Sequence, residues 1–458
     1  MAIGSNKSGR ALVLIAALAV VASACGGGAS TAPSSAASDT PTVTDEPSTE
    51  AVVVCELAYY TGSFAPYGPA LTNDVRFPIE EVINLDPPLG RSWELVSEDI
   101  GDDHEGEAAK ICIEQHNAEI VVSIAHQYRT YRDYMMEWWQ ENDSPLGPSV
   151  HGGAIPGNLG GKAAEPIFRA QGLDEALGTY GSLYASEQGF KKVVIFATQV
   201  EGFQLAADAA EEAAGILGLE VLDRIDVQPT QPSYRAEAQK IADLNPDAVI
   251  VQAGSTESAA IIKGAAEAGL SLNWIGETGW AEAEFIGTLG TEPIASQKGI
   301  GFPSFAPNKS TPAWDFFQPL WDAQTDKAYD ATGQYAFSTY DLMVQTALAV
   351  EAGGSYKASA WAPAMFEVGE GGEVCYTYAD CLALIRDGKD IDYEGVTGPG
   401  LYTDGGVNAV TPAFIPFMED GKTGEPVLLD AAKGLEILEQ IVTKATCEPA
   451  NPPNKCEW

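Results

Sequence analysis

From Val52 onward, short apolar runs alternate with longer stretches in which apolar residues recur at helical spacing. The pattern predicts strands over 51–58, 93–97, 120–124, 149–154, 192–197, 220–225, 248–252 and 273–275. Between them it predicts helices over 67–84, 106–116, 131–140, 173–188, 202–217, 234–244 and 256–268. Thr61, Gly62 and Ser63 break the first strand. Strands alternating with helices of this length imply βαβ units, parallel sheets and right-handed crossovers, with a ligand crevice at the carboxyl ends of the strands. The pattern resumes on each side of about residue 170, which fits two similar lobes. The second half is less regular. Helices are predicted over 314–324 and 334–351, and 369–381 reads as a Gly- and Cys-rich insertion. Short β segments fill 391–418, with turns at Gly398-Pro399-Gly400 and Asp404-Gly405-Gly406, and no repeat of 20–50 residues is evident.

The N-terminus changes the picture of where the chain works. Lys7 and Arg10 precede an almost wholly apolar or small run from Ala11 to Ala24. As a helix that run spans only ~21 Å, short of the ~30 Å of a hydrocarbon core, so it reads as an export signal rather than a membrane span. It ends Ala22-Ser23-Ala24-Cys25 before three glycines, which resembles a bacterial lipobox. Cys25 would then carry the lipid and begin the mature chain; an ordinary cleaved signal is the other reading. Residues 25–50, rich in Ser, Thr, Ala and Pro beyond the glycines, hold too little apolar surface to offset chain entropy. They are expected to form a disordered tether with a reach of roughly 25–30 Å.

Charge excludes some partners. With 25 Lys+Arg against 65 Asp+Glu, the formal net charge of −40 leaves no basic surface for nucleic acid or for anionic lipid. Of seven Cys, Cys25 is assigned to the lipid and six remain, allowing 15 connectivities. Local closure favours Cys375 with Cys381 and Cys447 with Cys456, which leaves Cys55 with Cys112. There is no CxxC pair, GxSxG elbow, GxxxxGK[ST] loop or HExxH helix. Paired acids such as Asp102-Asp103 and Glu211-Glu212 read as solvated faces in so acidic a chain. Of the four His, only His126 and His151 fall at predicted strand ends. No metal, cofactor or catalytic group is expected.

Four stretches, in order, resemble the type I periplasmic binding proteins. Residues 53–70, VVCELAYYTGSFAPYGPA, match that family's first strand, Ser/Thr-Gly turn and helix start. Residues 167–204 resemble its first crossover, 233–278 its second lobe, and 391–420 its last crossover and closing hairpin. The branch resembled is that of the Leu/Ile/Val-binding proteins of ABC importers. The resemblance implies an α/β fold of two doubly wound parallel-sheet lobes joined by three crossovers near 170, 300 and 395. Lobe one would be 51–170 plus 301–395, lobe two 171–300 plus 396–445, with a tail at 446–458.

The resemblance also implies a ligand-binding set between the lobes. Tyr67 takes the place of the aromatic in the first helix turn. Gln127, followed by Tyr128 and Arg129, falls where a Ser grips the ligand carboxylate, and Ala154 and Ile155 stand at the next strand end, Ile155 in place of a Thr. Arg129 is the candidate fork for an anion. In the second lobe Glu201 and Gly254, with Ser255 beside it, occupy Tyr positions, and Thr278 occupies that of the acid that pairs with an ammonium, next to Glu277. The implied function is a monomeric, lipid-anchored receptor on the outer face of a bacterial membrane, passing a small polar solute (an amino acid or related amide or carboxylate) to an ABC permease. A sensory module of the same fold is the alternative. An exported hydrolase, the remaining reading, requires two facing acids about 5–10 Å apart.

Overall fold

The computed structural model describes residues 50–442 except 63–64, 66–67, 102–103, 125–127, 145–146, 150–164, 230, 232, 282, 325–330, 403–405 and 409–410. The described elements all belong to the unit that begins at Ser48. Its first part runs β1 (Val52–Ala58), α1 (Gly68–Glu81), β2 (Trp93–Asp99), α2 (Glu105–Glu114), β3 (Ile120–Ser123), α3 (Tyr128–Asn142), β4 (Gly147–Ser149) and β5 (Ile167–Arg169). These strands form a five-stranded parallel sheet in the order β2-β1-β3-β4-β5. Strand β1 lies inside the sheet, between β2 and β3, and reads as a nearly continuous apolar run because both of its faces are covered.

A second βα series follows: α4 (Asp174–Glu187), β6 (Lys192–Thr198), α5 (Glu201–Leu217), β7 (Glu220–Val227), α6 (Arg235–Leu244), β8 (Ala248–Gln252), α7 (Ser255–Glu267), β9 (Asn273–Ile275), α8 (Ala283–Leu289), α9 (Thr291–Ser296) and β10 (Gly299–Phe305). Helix α5 is alanine-rich, buries Ala206, Ala207, Ala210 and Ala214, and stops at Gly218 in the left-handed region. The chain then forms α10 (Pro312–Asp322), α11 (Gln334–Gly353), α12 (Ala358–Glu367), β11 (Glu373–Cys375), α13 (Tyr378–Arg386), β12 (Ile391–Gly395), β13 (Gly398–Pro399), β14 (Pro412–Pro416), β15 (Val427–Leu428) and α14 (Ala431–Val442). The second sheet has the order β15-β14-β10-β9-β8-β6-β7, parallel except where β14 pairs with β10 and with β15. A small third sheet is β11-β12-β13.

The predicted strand over 149–154 is shorter and earlier, Gly147–Ser149, and its remainder lies outside the described residues. The stretch 369–381 is not a loose insertion. Strand β11 pairs with β12, Thr377 caps α13 by accepting from the Asp380 amide, and Cys375 bonds to Cys381. Cys55 and Cys112 form a second disulfide between β1 and α2, while Cys447 and Cys456 lie outside the described residues.

A single carboxylate fixes how the later segments meet. Asp341, on α11 and almost fully buried, accepts from Tyr393 Oη (2.7 Å), Val396 N (3.1 Å), Thr397 N (2.6 Å) and Thr397 Oγ1 (2.7 Å). The approach is so close that a Cβ on Gly395 would fall 2.4 Å from Asp341 Oδ1, so only glycine fits there. From 396–397 the bonding spreads. Asn308 N donates to Val396 O (2.7 Å), Thr411 Oγ1 to Thr397 O (3.0 Å) and Ala306 N to Thr411 O (3.3 Å). Arg169 N donates to Gly406 O (2.7 Å) and Asn408 N to Arg169 O (3.1 Å). The segments leaving β5, β10 and β13 are thereby sewn together.

Two measurements check this account. Asp341→Ala strands several buried donors and should destabilise the protein by about 3 kcal/mol in denaturant unfolding, with Asp341→Asn losing less. The second concerns Glu56, buried on β1. Burial pushes its carboxyl up to about 7, against hydrogen bonds from Ser97 and Thr72, and burial with the nearby Glu56 charge raises Asp74 on α1 in the same direction. A carboxyl raised on folding leaves the native state holding more protons, so stability should be highest near and below pH 4.5 and fall as pH rises to and through 7. Glu56→Gln should flatten that slope in unfolding curves taken across this range.

Candidate functional site

The loop after β1 is pinned to the end of β2. Asp99 Oδ1 accepts from the amides of Tyr60 (3.0 Å), Thr61 (3.0 Å) and Gly101 (3.2 Å), and Oδ2 accepts from Thr61 Oγ1 (2.7 Å). Slight desolvation pushes this carboxyl up, but the bonds from Thr61, Tyr60 and Gly101 outweigh it and hold it below its usual value. The turn leading toward Tyr67 therefore has a fixed start.

Two buried acid clusters follow at the end of β3. Glu105, opening α2, accepts at Oε1 from Ser123 Oγ (2.9 Å) and from Tyr131 Oη (2.8 Å). Glu165 accepts from Tyr128 Oη (2.9 Å) and takes a fork from Arg132, with Nε on Oε1 at 2.7 Å and Nη2 on Oε2 at 2.9 Å. The two tyrosine rings meet edge to face at 5.4 Å. Burial, then the neighbouring Glu165 and Glu105 charges, push the Tyr128 and Tyr131 phenols far up, so both remain hydrogen-bond donors. Arg169, at the end of β5, is fully buried. Desolvation lowers its pKa while Glu165, Tyr128 and Glu175 act to hold its charge. Buried guanidinium and carboxylate groups persist together because each would be far costlier alone.

The second sheet presents its own polar end. Gly254 precedes α7, and Ser255 Oγ donates to Gly279 O (3.0 Å). Glu277, 7% exposed, accepts from Gly279 N at 2.7 Å. Thr278 opens a 3-10 turn, Thr278–Ala281, whose Trp280 stacks on Phe285 with centroids 4.5 Å apart. Gly254, Ser255, Glu277 and Thr278 are thus brought together at the carboxyl ends of β8 and β9. Arg129 and Glu201 stand in the first turns of α3 and α5. Tyr67, Gln127, Ala154 and Ile155 lie outside the described residues.

Sequence reasoning passed over Glu105, Arg132, Glu165, Arg169 and Gln252. Two of them carried a readable signal. Tyr128 and Arg132 are spaced i, i+4 on one helix, and Arg169 interrupts the apolar run of β5 in a chain poor in Arg. Among the described residues no group of three or more His, Cys, Asp or Glu is placed to hold a metal ion, and no helix is long and apolar enough to cross a membrane.

No curated protein sequence matches the chain. Solved structures do. The branched-chain amino acid transporter substrate-binding protein LivJ from Streptococcus pneumoniae, in complex with isoleucine, is 19% identical over 83% of this chain and 99% of its own, with a TM-score of 0.60. A solute-binding protein of an ABC transporter from R. palustris, in complex with benzoate, is 17% identical over 83% and 96%, with a TM-score of 0.57. A fatty acid ABC transporter substrate-binding protein from Thermomonospora curvata is 16% identical over 85% and 94%, with a TM-score of 0.55. At such identities the likeness is one of fold, here the type I fold of parallel-sheet lobes. The model of one family, described as periplasmic binding protein, matches residues 54–372, well over half of the sequence, and the chain belongs to that family.

Proposed function

We propose that this chain is the extracytoplasmic substrate-binding protein of an ABC importer, capturing one small polar solute between two lobes and handing it to a membrane permease. The reading is supported above all by the pairing of polar, buried side chains at the carboxyl ends of two separate parallel sheets with crossover segments hydrogen-bonded to one another. Ends of this kind hold free backbone amides and oriented side chains, the usual place for a ligand in α/β folds. Lobe one is 51–170 plus 306–395 and lobe two 171–305 plus 396–445, the second crossover being moved from about 300 to after β10 because that strand pairs with β9 and β14 in the second sheet, and hinge closure between them excludes water from the solute. By the family resemblance the set assigned to the solute is Tyr67, Gln127, Tyr128, Arg129, Ala154 and Ile155 of the first lobe and Glu201, Gly254, Ser255, Glu277 and Thr278 of the second, with Tyr128, whose hydroxyl is given to Glu165, acting through its position behind the others. The protein is a binder without catalytic function. It acts as a monomer, held to the outer face of the membrane by lipid on Cys25 and the 25–50 tether.

A thermal-shift screen of the purified chain against amino acids, amides, ureas and small carboxylates tests the reading. A bound solute at 100 times its Kd should stabilise by about 2.7 kcal/mol, a rise of a few degrees at this size. Tyr67→Ala should then weaken binding roughly tenfold, the worth of a well-packed aromatic contact, without lowering the melting temperature of the ligand-free protein. For the anchor, Cys25→Ala should release the protein into the culture medium, seen by fractionation and immunoblot.

A further inference from the structure

Glu56 of β1 is fully buried, and the two hydroxyls that bear on its carboxyl come from β2 and α1. Ser97 Oγ donates to its Oε2 at 2.8 Å, and the Thr72 hydroxyl favours its charged form. Glu56 Oε1 has no partner, and neither has Oδ1 of Asp74, buried two residues after Thr72 on α1. The two carboxyls are near enough for one charge to act on the other, and among the described residues no cation pairs with either. Two such groups out of water cannot both be charged, so the pair holds a proton. Burial, then the Glu56 charge, raise Asp74 well above the usual range, so Asp74 stays protonated while Glu56 titrates.

The charged groups on the surrounding elements are engaged elsewhere. Strand β3 sets the uncharged Val122 beside Glu56, and α2 covers the opposite face of β1 through the Cys55–Cys112 bond. On β2, Glu98 bonds to His116, and Asp99 is held by its four donors. On α1, Arg76 is exposed and donates to Asn73 Oδ1. On α11, which packs on α1, Asp341 turns to 393–397, Glu351 accepts from Leu89 N and Arg386, and Tyr340 lies against Phe77 and Phe317.

Thr72 leads outward from this pair. Its Oγ1 lies 3.3 Å from Tyr60 Oη, and either oxygen can be the donor. Tyr60 is 46% exposed and opens the loop after β1, where Asp99 holds its amide. A hydroxyl has one hydrogen to give. A charged Glu56 draws the Thr72 hydrogen, so Tyr60 donates to Thr72 and leaves its own lone pairs facing outward. A protonated Glu56 releases that hydrogen, so Thr72 donates to Tyr60 and the phenol hydrogen faces outward. Hydrogen bonds in series polarise one another in this way. We infer that Glu56, Thr72 and Tyr60 form a proton-responsive relay, in which the charge of a buried acid decides whether Tyr60 presents an acceptor or a donor at the carboxyl end of the first sheet. The relay does not depend on what the protein binds.

Nuclear magnetic resonance of the purified full-length chain, labelled with 13C at the tyrosine ζ carbon, tests this from about pH 5 to 8.5. The Tyr60 line is the one missing from the Tyr60→Phe spectrum. In the wild type it should move by more than its width, with a midpoint near pH 7. In Thr72→Val, which keeps the side-chain shape and removes the hydroxyl, and in Glu56→Gln, the line should stay flat over that range. A flat line in the wild type overturns the inference. So does the same curve in Glu56→Gln, which assigns the titration to another group. An unchanged curve in Thr72→Val also overturns it, since Tyr60 then senses the acid without the hydroxyl. Should Glu56→Gln fail to fold, the wild type and Thr72→Val decide the matter by themselves.

Discussion

The structure is organised around the burial of Asp341. An acid taken out of water is tolerated only when donors surround it, and here the donors come from 393–397, a stretch far along the chain. Val396 and Thr397 in turn accept backbone bonds from Asn308 and Thr411, Thr411 accepts from Ala306, and 406–408 hold Arg169. Without that one carboxylate the three connecting segments would lose the common floor against which their amides are paired. Burial raises the pKa of Asp341 even though its four bonds favour the charged form, which shows how strongly the surroundings exclude water.

The same economy of charge governs the polar ends of the sheets. The chain has few cations, and two of them, Arg132 and Arg169, are buried among Glu165 and Glu175 instead of screening the acidic surface. Their role is to let carboxylates and tyrosines occupy the interior in fixed orientation. Tyr128 and Arg132 both point their donors at Glu165, so the carboxylate at the start of β5 is tied to α3 on the far side of a long connection. Asp99 does the same for the loop after β1 by collecting backbone amides. Each such cluster holds its acid and its donors in one fixed orientation.

Much of the fold was legible in the sequence. Strands β8 and β9 match the expected bounds, and β6 and α5 differ by a single residue at one end, since each is an apolar run or an alanine-rich periodic run bounded by turn residues. Strand β10 was not legible. Its sequence, GIGFPSF, looks like a turn, yet it is a central strand. The reason lies in its partner: the Phe414 ring and the Ile415 carbonyl fill the space where a Cβ on Gly301 would go, so packing from a distant segment decides the residue. The short β5 and helix α12 were missed because tertiary contact rather than local periodicity defines them, whereas α14 was missed although Ile437, Leu438 and Ile441 recur at helical spacing. Gly254, Ser255, Glu277 and Thr278, carried over from the family resemblance, lie together at the carboxyl ends of β8 and β9. The burial of Gln252 was not legible, because a polar residue ending an apolar strand looks like any strand end until its neighbours are known.

The disulfide between Cys55 and Cys112 bears on the order in which the molecule is assembled. It closes a loop of 57 residues that carries β1, α1, β2 and most of α2. Cross-linking a loop of that length restricts the unfolded chain by about 4 kcal/mol on the chain-entropy model. A polypeptide is delivered N-terminus first, so this loop can lock as soon as residue 112 reaches an oxidising compartment. By then β1 has its partner β2 within the same closed loop, and a tethered scaffold waits for segments such as α11 that arrive more than two hundred residues later. The bond thus acts as a timer for maturation as well as a brace, and it ties the native topology to the compartment in which the chain emerges.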